Sequence, residues 1–444
     1  MKKLLYLLLS FVFITDSFSQ TRQKLDEVLD AYARQYKFNG TVLVAKKGEI
    51  LLEKGYGFRN IKPSIPNDEN SIFQIGSVTK QFTAVIILKL QEQGKLSVKD
   101  KLSKYFPDYP NGDKITIENL LTHTSGIYNY TNNASFMKNE VSKSKSRDSI
   151  IALFRDQPLN FEPGSKFSYS NSGYSLLGYI IEKVTNKPYE KVMREMILQP
   201  LNMDNSGFDF THLKVPGKAS GYFYIAKDSN QVSPIVDSTV SFSAGSLFST
   251  VGDLYKWDRA ISSGKILSAG SWKSAFTPFL SKYGYGWHMD TIYGKPVISH
   301  SGGIHGFSSI VTRFPEEDAV IILLNNGGTP NLTKISNDLA AVLFNKTVEL
   351  PGAKTEMKFE ENFLKQYEGE YQLTQNFSIR VWVENGKLMA QATGQQAFEL
   401  FAESETKFFL KVVDAQLEFV KDDKGAVQKL ILYQNGMKVE GKKI

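Results

Sequence analysis

Ser77 and Lys80 lie three residues apart in the segment FQIGSVTKQFTAVIILKLQEQGKL. If Ser77 begins a helix, Lys80 lies one turn further on the same face, so its amine can approach the serine oxygen. A free lysine titrates near pH 10.4, so a lysine that accepts a proton near pH 7 needs a pKa lowered by roughly 3 pH units, which burial can supply. Apolar residues from Phe82 to Leu90 predict that this helix is buried. The spacing fits a serine nucleophile with a lysine base, although an N-cap serine followed by a surface lysine has the same pattern.

A second polar pair, Tyr169 and Asn171, lies just before another predicted helix in the segment FEPGSKFSYSNSGYSLLGYIIEKV. In an extended segment, residues two apart point to the same side, so the phenol and the amide can line one cavity. The pair therefore predicts proton transfer by the tyrosine and substrate anchoring by the asparagine.

A third segment, KPVISHSGGIHGFSSI, places His300, Ser301 and Gly302 at the start of a predicted strand. Glycines in a strand allow another chain to lie close against the backbone. We therefore expect this strand to hold the substrate at the edge of a sheet.

The motifs SVTK, YSN and HSG, in that order, resemble the serine β-lactamase and penicillin-binding-protein superfamily, in its class C β-lactamase-related branch of D-Ala-D-Ala carboxypeptidase and esterase type. The resemblance covers about residues 25–345 and includes the stretches LLTHTSGI, AGSLFSTVGDLYKW and YGYGW. It implies that Ser77 is the nucleophile, that Lys80 and Tyr169 share the proton transfers, and that Asn171 contacts the substrate amide. It also implies an oxyanion hole made by the backbone N–H groups of Ser77 and Gly303, each such donor contributing roughly 2.7–4 kcal/mol.

His300 departs from the family pattern, because efficient β-lactamases and penicillin-binding proteins of this superfamily usually have lysine-threonine-glycine where this chain has histidine-serine-glycine. A histidine with a pKa near 6.5 is mostly neutral at pH 7. Attraction for a substrate carboxylate should therefore be weaker and more pH-dependent, and the resemblance points instead to peptidases and esterases.

The elements that carry these motifs predict a mixed fold of the broad α/β class, in which helices and an antiparallel sheet are combined (α+β). An N-terminal helix precedes two strands in TVLVAKKGEILLEKGYG, and FSSIVTRF and AVIILLNN form two more strands before a last helix. Both ends would then form one antiparallel sheet flanked by helices, with a long helical insert between them. This β-lactamase/transpeptidase-like unit is predicted over residues 20–350.

We predict a linker after the first domain, at residues 351–365. It leads into a small all-β barrel at residues 366–444, which is lipocalin-like by resemblance. Asn385-Gly386 is a strong hairpin turn, and Asp423-Lys424-Gly425 and Asn435-Gly436 are plausible turns. The barrel could close over the active site or mediate oligomerisation, and its sequence does not choose between these roles.

Residues 1–19 predict a signal peptide cleaved before Gln20, with two lysines, a short apolar run and small residues at the end. The apolar run is shorter than the roughly 20 residues of a membrane span. The chain has no cysteine, so a disulfide framework is excluded. Its net charge of +7 is spread along its length rather than gathered on one segment, which disfavours a nucleic-acid-binding surface. We expect a periplasmic or secreted protein without stable membrane insertion.

Other candidate residues have simpler interpretations. His123 is predicted to fix a turn, and Tyr283, Tyr285 and Trp287 alternate as a strand would, either as core or as a cleft wall. The histidines lack zinc-ligand spacing, so no metal or other cofactor is expected. Neither a glycine-x-serine-x-glycine elbow nor a phosphate loop is present, which disfavours an α/β-hydrolase or an NTPase.

Together these observations predict an exported serine hydrolase that forms an acyl-enzyme on Ser77. Its substrates would be D-amino-acid peptides of the cell wall or small esters. Two alternatives stay open: a class C-like β-lactamase, and an inactive protein that binds peptides or cell-wall fragments.

Overall fold

The computed structural model describes residues 19–328, 330–348, 350, 356–413, 415–434 and 437–444. The predicted signal peptide, apart from Ser19, lies outside the described residues, as do the first five residues of the predicted linker and the Asn435-Gly436 turn. Among the described residues, no helix is both long enough and apolar enough to cross a membrane.

Helices are concentrated between the second and the last strands of the first domain, with one helix before the first strand and two after the last. Their bounds are α1 (19–34), α2 (Thr79–Glu92), α3 (Ile117–Leu121), α4 (Ala134–Asn139), α5 (Arg147–Ala152), α6 (Asn171–Thr185), α7 (Tyr189–Met193), α8 (Ser238–Gly245), α9 (Val251–Ser262), α10 (Ala269–Ala275), α11 (Leu332–Leu343) and α12 (Glu361–Leu364).

Strands form one open sheet, one closed barrel and three short pairs. The strands before the barrel are β1 (Gly40–Lys46), β2 (Glu49–Tyr56), β3 (Phe58–Asn60), β4 (Ile65–Pro66), β5 (Phe73–Gln74), β6 (Tyr222–Ile225), β7 (Asn230–Val232), β8 (Phe248–Ser249), β9 (His288–Ile292), β10 (Lys295–Ile304), β11 (Phe307–Phe314) and β12 (Ala319–Asn325). The barrel strands are β13 (Gly369–Thr374), β14 (Phe377–Glu384), β15 (Lys387–Ala392), β16 (Phe398–Ala402), β17 (Lys407–Phe409), β18 (Ala415–Lys421), β19 (Val427–Gln434) and β20 (Met437–Lys443).

The open sheet is antiparallel, in the order β2-β1-β12-β11-β10-β9. Successive residues of β1 alternate between two cores: Val42 and Val44 pack with α1 and α11, whereas Leu43 and Ala45 face the core of the helical insert. The predicted fold is therefore confirmed, with a sheet from both ends of the domain and helices on both faces.

The C-terminal strands close into an eight-stranded barrel in sequential order. Asn385 and Gly386 both have positive φ, 51° and 75°, as a two-residue hairpin turn between β14 and β15 requires. Its interior is filled by an apolar core that includes Tyr367, Tyr371 and Phe419. The predicted barrel is confirmed.

Two local predictions differ from the structure. Tyr283 to Trp287 do not form a strand, because the backbone turns at Gly286 (φ 88°) and β9 begins only at His288. His300 lies inside the ten-residue strand β10 rather than at its start, since Lys295 to Ser299 already pair with β9.

Candidate active site

Ser77 lies in a single 3₁₀ turn, Gly76–Val78, that leads directly into α2. Two glycines bring this turn against β10. Gly76 has a positive φ of 51°, and a Cβ on it would lie 2.9 Å from the Gly303 nitrogen; a Cβ on Gly302 would lie 2.0 Å from the Ile75 carbonyl oxygen. Only glycine allows this approach, which places Ser77 next to the strand predicted to hold the substrate.

Lys80 is the second residue of α2 and is completely buried. Its Nζ lies 3.1 Å from Ser77 Oγ, 2.7 Å from Asn171 Oδ1 and 2.8 Å from the Ala244 carbonyl oxygen. Burial lowers the pKa of this amine well below 10.5. A neutral amine has two N–H groups and one lone pair, so it can donate to the two carbonyl-type oxygens and accept the Ser77 O–H.

The Ala244 carbonyl is free to accept this bond because α8 ends at Gly245, and the last four carbonyls of a helix have no partner within the helix. Inside α8, Phe242 breaks the helical conformation with a positive φ (φ 36°, ψ −133°). The neighbouring Ser243 carbonyl accepts from Thr83 Oγ1 at 2.7 Å. This break had no signal in the sequence, since bulky residues rarely adopt positive φ.

Tyr169 lies in the segment before α6, and its ring centroid is 4.8 Å from Lys80 Nζ. Burial raises the pKa of its phenol, and an interaction with the Ser77 side chain opposes this rise. The phenol therefore holds its proton at neutral pH and lies within reach of both Ser77 and Lys80.

Asn171 is the first residue of α6 and is held on both sides of its amide. Its Nδ2 donates to Thr131 Oγ1 at 3.1 Å while Oδ1 accepts from Lys80, and its backbone N–H donates to Asn129 Oδ1 at 3.0 Å. The structure thus adds Asn129 and Thr131 to the predicted residues. Both come from a polar loop with no distinguishing sequence pattern.

A cavity of about 420 Å³ opens over Ser77, Asn171 and Gly303. A Cβ on Gly303 would have no atom within 4 Å, so this residue faces open space beside Ser77. The structure therefore brings the two predicted oxyanion residues to the same end of the cavity. The remaining wall is largely apolar and includes Met137, Phe223, Val236, Val240, Ile304 and Phe307.

His300 is buried, with 3% of its surface exposed, and lies beneath the site rather than in the cavity wall. Its Nδ1–H donates to the Ser301 carbonyl oxygen at 2.6 Å, so Nε2 accepts from the Tyr283 hydroxyl at 2.9 Å. Burial, followed by repulsion from Lys80, lowers the pKa of His300 to about 3. This differs from the expectation of an ordinary histidine near 6.5, because the sequence did not show that the side chain is enclosed.

Ser301 points away from the other predicted residues. Side chains alternate along β10, so Ser301 lies on the opposite face from His300 and Gly302. It lines a separate crevice with Thr333 and Asn337 of α11. The Ser301 side chain therefore does not meet the cavity over Ser77.

Comparison with known proteins agrees with this architecture. The Beta-lactamase family model matches residues 25–346, and a model described as a domain of unknown function (DUF3471) matches residues 353–443. Penicillin-binding protein 4* of Bacillus subtilis is 29% identical over 94% of this chain and 98% of its own length. The putative penicillin-binding protein PbpX of the same species is 32% identical over 72% of this chain and 78% of its own length.

Two solved structures extend the comparison. The octameric penicillin-binding protein homologue from Pyrococcus abyssi has a TM-score of 0.66 and 28% identity, covering 95% of this chain and 99% of that one. The D-amino acid amidase from Ochrobactrum anthropi SV3 has a TM-score of 0.64 and 25% identity, covering 73% of this chain and 99% of that one. Since the family model spans well over half of the chain, this protein belongs to the Beta-lactamase family, as a serine hydrolase of the β-lactamase and penicillin-binding-protein superfamily.

Proposed function

We propose that this protein is an exported hydrolase that cleaves amide or ester bonds through an acyl-enzyme on Ser77, with D-amino-acid peptides or small esters as substrates. The observation that carries the proposal is the Lys80 amine. It is fully buried, its pKa is lowered, and it lies 3.1 Å from the Ser77 hydroxyl with its other two neighbours able only to accept. This is the environment that a serine nucleophile requires from its base.

In the acylation step, Ser77 Oγ attacks the substrate carbonyl carbon as its proton passes to Lys80. The developing oxyanion is stabilised by the N–H groups of Ser77 and Gly303. When the intermediate collapses, the C–N or C–O bond breaks and the leaving group takes a proton through Tyr169. A water molecule then attacks the Ser77 ester in the same manner, which releases the acid and returns the proton to Ser77.

The cavity favours a neutral acyl group. Among the described residues that line it there is no lysine or arginine, and the pKa of the one lining histidine, His305, is lowered by burial. His300, which stands where the family pattern usually has a lysine, is neutral at pH 7. A substrate carboxylate would therefore gain little attraction here, whereas an apolar acyl side chain can bury its surface against Phe223 and Ile304.

A β-lactamase activity is the second candidate, because the matching family carries that name and two relatives are named penicillin-binding proteins. The same neutral cavity argues that a penicillin, with its carboxylate, would acylate Ser77 slowly. A catalytically inactive binding protein is the third candidate, which the intact cluster around Lys80 disfavours.

Export and assembly complete the proposal. We place the protein in the periplasm or outside the cell, with the mature chain beginning at Gln20, which N-terminal sequencing of the native protein would test. Oligomerisation is supported by the octameric homologue, whose chain this one covers almost completely, and we assign the interface to the C-terminal barrel. Light scattering of the purified mature protein would test it.

Intact mass spectrometry tests the acyl-enzyme. Wild type and Ser77→Ala are incubated separately with a fluorophosphonate, a neutral p-nitrophenyl ester and a penicillin. We expect one adduct on the wild type alone, with turnover of the ester and slow acylation by the penicillin. Hydrolysis assays on D-Ala-D-Ala peptides and D-amino-acid amides then assign the substrate class.

The outcomes separate the three candidates. Equal labelling of both proteins would reject Ser77 as the nucleophile, and rapid penicillin turnover would favour the β-lactamase. Neither labelling nor turnover in wild type would favour the binding protein.

A further inference from the structure

His123 lies beside Tyr169, in the turn that follows α3. It adopts a left-handed backbone conformation with φ of 57°, and only 1% of its surface is exposed. Positive φ is uncommon for a residue with a side chain, so this conformation must be held by its surroundings. Its contacts are concentrated on the segment that carries Tyr169.

Two hydrogen bonds to His123 flank Tyr169 in the chain. The Ser168 N–H donates to the His123 carbonyl oxygen at 2.9 Å, and the Ser170 N–H donates to His123 Nδ1 at 3.1 Å. Between these two bonds, the Tyr169 ring lies against the imidazole, with centroids 4.2 Å apart and an interplanar angle of 34°. One residue thus holds the backbone on both sides of the tyrosine and packs on its ring.

The imidazole is placed to hold rather than to relay a proton. Because Nδ1 accepts a hydrogen bond, the proton of the neutral ring is on Nε2, and Nε2 has no hydrogen-bond partner among the described residues. The rings of Tyr174 and Tyr283 lie 5.1 and 4.8 Å from the imidazole centroid. Burial and the nearby Lys80 keep the pKa of His123 well below 6.5, so the ring stays neutral.

Residues 166–170 have no regular secondary structure, so neither a helix nor a strand holds the Tyr169 backbone in place. We propose that His123 is a positioning residue for the hydrolase reaction, which holds the Tyr169 phenol against Ser77 and Lys80. The inference rests on the proposed function, since it assigns His123 an effect only through the tyrosine. It goes further than the prediction of a structural turn residue, because a turn residue would act on folding and not on one proton transfer.

Two amide variants of His123 test whether the hydrogen bond from the Ser170 N–H matters, apart from the size of the side chain. In His123→Asn the amide oxygen takes the place of Nδ1 and can still accept the Ser170 N–H, and asparagine tolerates positive φ. In His123→Gln the oxygen is one bond further out, at the place of Nε2, and this bond is lost. His212→Gln, on an exposed residue paired with Asp209, is the matched control for loss of a histidine.

We expect His123→Gln to lower kcat by about 100-fold with little change in KM, because a catalytic group displaced by about 1 Å loses roughly that factor. His123→Asn should recover at least about tenfold of this loss, and His212→Gln should behave as wild type. Melting temperatures and the extent of Ser77 labelling by the fluorophosphonate report whether each variant is folded.

A double-mutant cycle with Tyr169→Phe decides the proposal. If His123 acts through the phenol, His123→Gln costs no more than about twofold once the phenol is gone. A loss of the same size in both backgrounds, or a change in KM alone, would overturn the positioning role while leaving Ser77-dependent turnover in place. Absence of Ser77-dependent turnover in the wild type would instead overturn the proposed function, and this inference with it.

Discussion

The two domains are both built on antiparallel strands, yet they bury different kinds of side chain. Among the described residues, every buried polar or charged side chain belongs to the first domain, and these include Lys80, His123 and His300. The described buried residues of the barrel are apolar or tyrosine. A buried polar group costs free energy unless it is fully paired. The first domain therefore carries a cost to its folding stability that the barrel does not.

The difference in buried side chains follows the position of the candidate active site. An open sheet with a helical insert leaves a cavity at β10 and α2, and the buried side chains of Lys80, His123 and His300 are grouped beside it around Tyr169. The closed barrel satisfies its strands and fills its interior with its own side chains, such as Tyr371, whose hydroxyl donates to the Tyr367 carbonyl at 2.8 Å. Substitutions in the two domains should therefore affect different properties.

Lys80→Met should have the largest effect. The unbranched side chain fits the same space, so loss of the base should lower kcat/KM for the ester by on the order of 10⁴-fold. The free energy of unfolding should fall by no more than about 1–3 kcal/mol, because removal of a buried amine offsets part of the cost of leaving Asn171 Oδ1 and the Ala244 carbonyl without this donor. Steady-state kinetics and urea unfolding measure the two quantities, and a large loss of both would contradict the comparison.

Tyr371→Ala should show the reverse behaviour. Removal of this fully buried ring from the barrel core should destabilise the barrel by about 4 kcal/mol, in the range of other large-to-small core substitutions. Hydrogen–deuterium exchange of residues 369–443 would report the loss, while the rate of Ser77 labelling should match the wild type. Slower labelling would show that the barrel supports the active site.

Gly302→Ala tests the approach of β10 to the nucleophile. The added methyl group would lie 2.0 Å from the Ile75 carbonyl, so the strand must move away from Ser77. We expect kcat to fall by roughly 10²–10³-fold, the cost of losing one oxyanion donor. Ser301→Ala is the matched control, because its side chain lies on the other face, and an equal loss there would restore Ser301 as a substrate contact.

The pH dependence of stability should be the smallest effect. The folded-state pKa of His300, about 3, lies below its ordinary value of 6.5, so the unfolded chain binds more protons between these values. The stability that neutral His300 contributes is complete above pH 6.5 and is lost as the pH falls towards 3.

His300→Gln removes this titration while it keeps an acceptor for Tyr283. The plot of unfolding free energy against pH, measured in urea from pH 7 to 4, should then be shallower by up to about 1.4 kcal/mol per pH unit. Parallel plots for wild type and variant would show that His300 is not held neutral by the fold.

Much of the architecture followed from local sequence patterns. Short apolar segments bounded by turn residues predicted β1, β11 and β12, alternating residues predicted the barrel, and Asn385-Gly386 predicted its hairpin, because strand periodicity and turn chemistry are properties of a few neighbouring residues. The motifs around Ser77, Tyr169 and His300 likewise named the segments that the structure brings together at one cavity.

The burial, the pKa and the hydrogen-bond partners of those residues were set by the tertiary structure. Burial of Lys80 against Asn171 and Ala244 and enclosure of His300 both depend on segments distant in the chain. The hydrogen bond from the Ser170 N–H to His123 Nδ1 likewise joins residues 47 positions apart in the chain. The sequence by itself determined which chemical groups are present and in what order; only the packed fold determined their charge, direction and partners, since these depend on the atoms that surround each group.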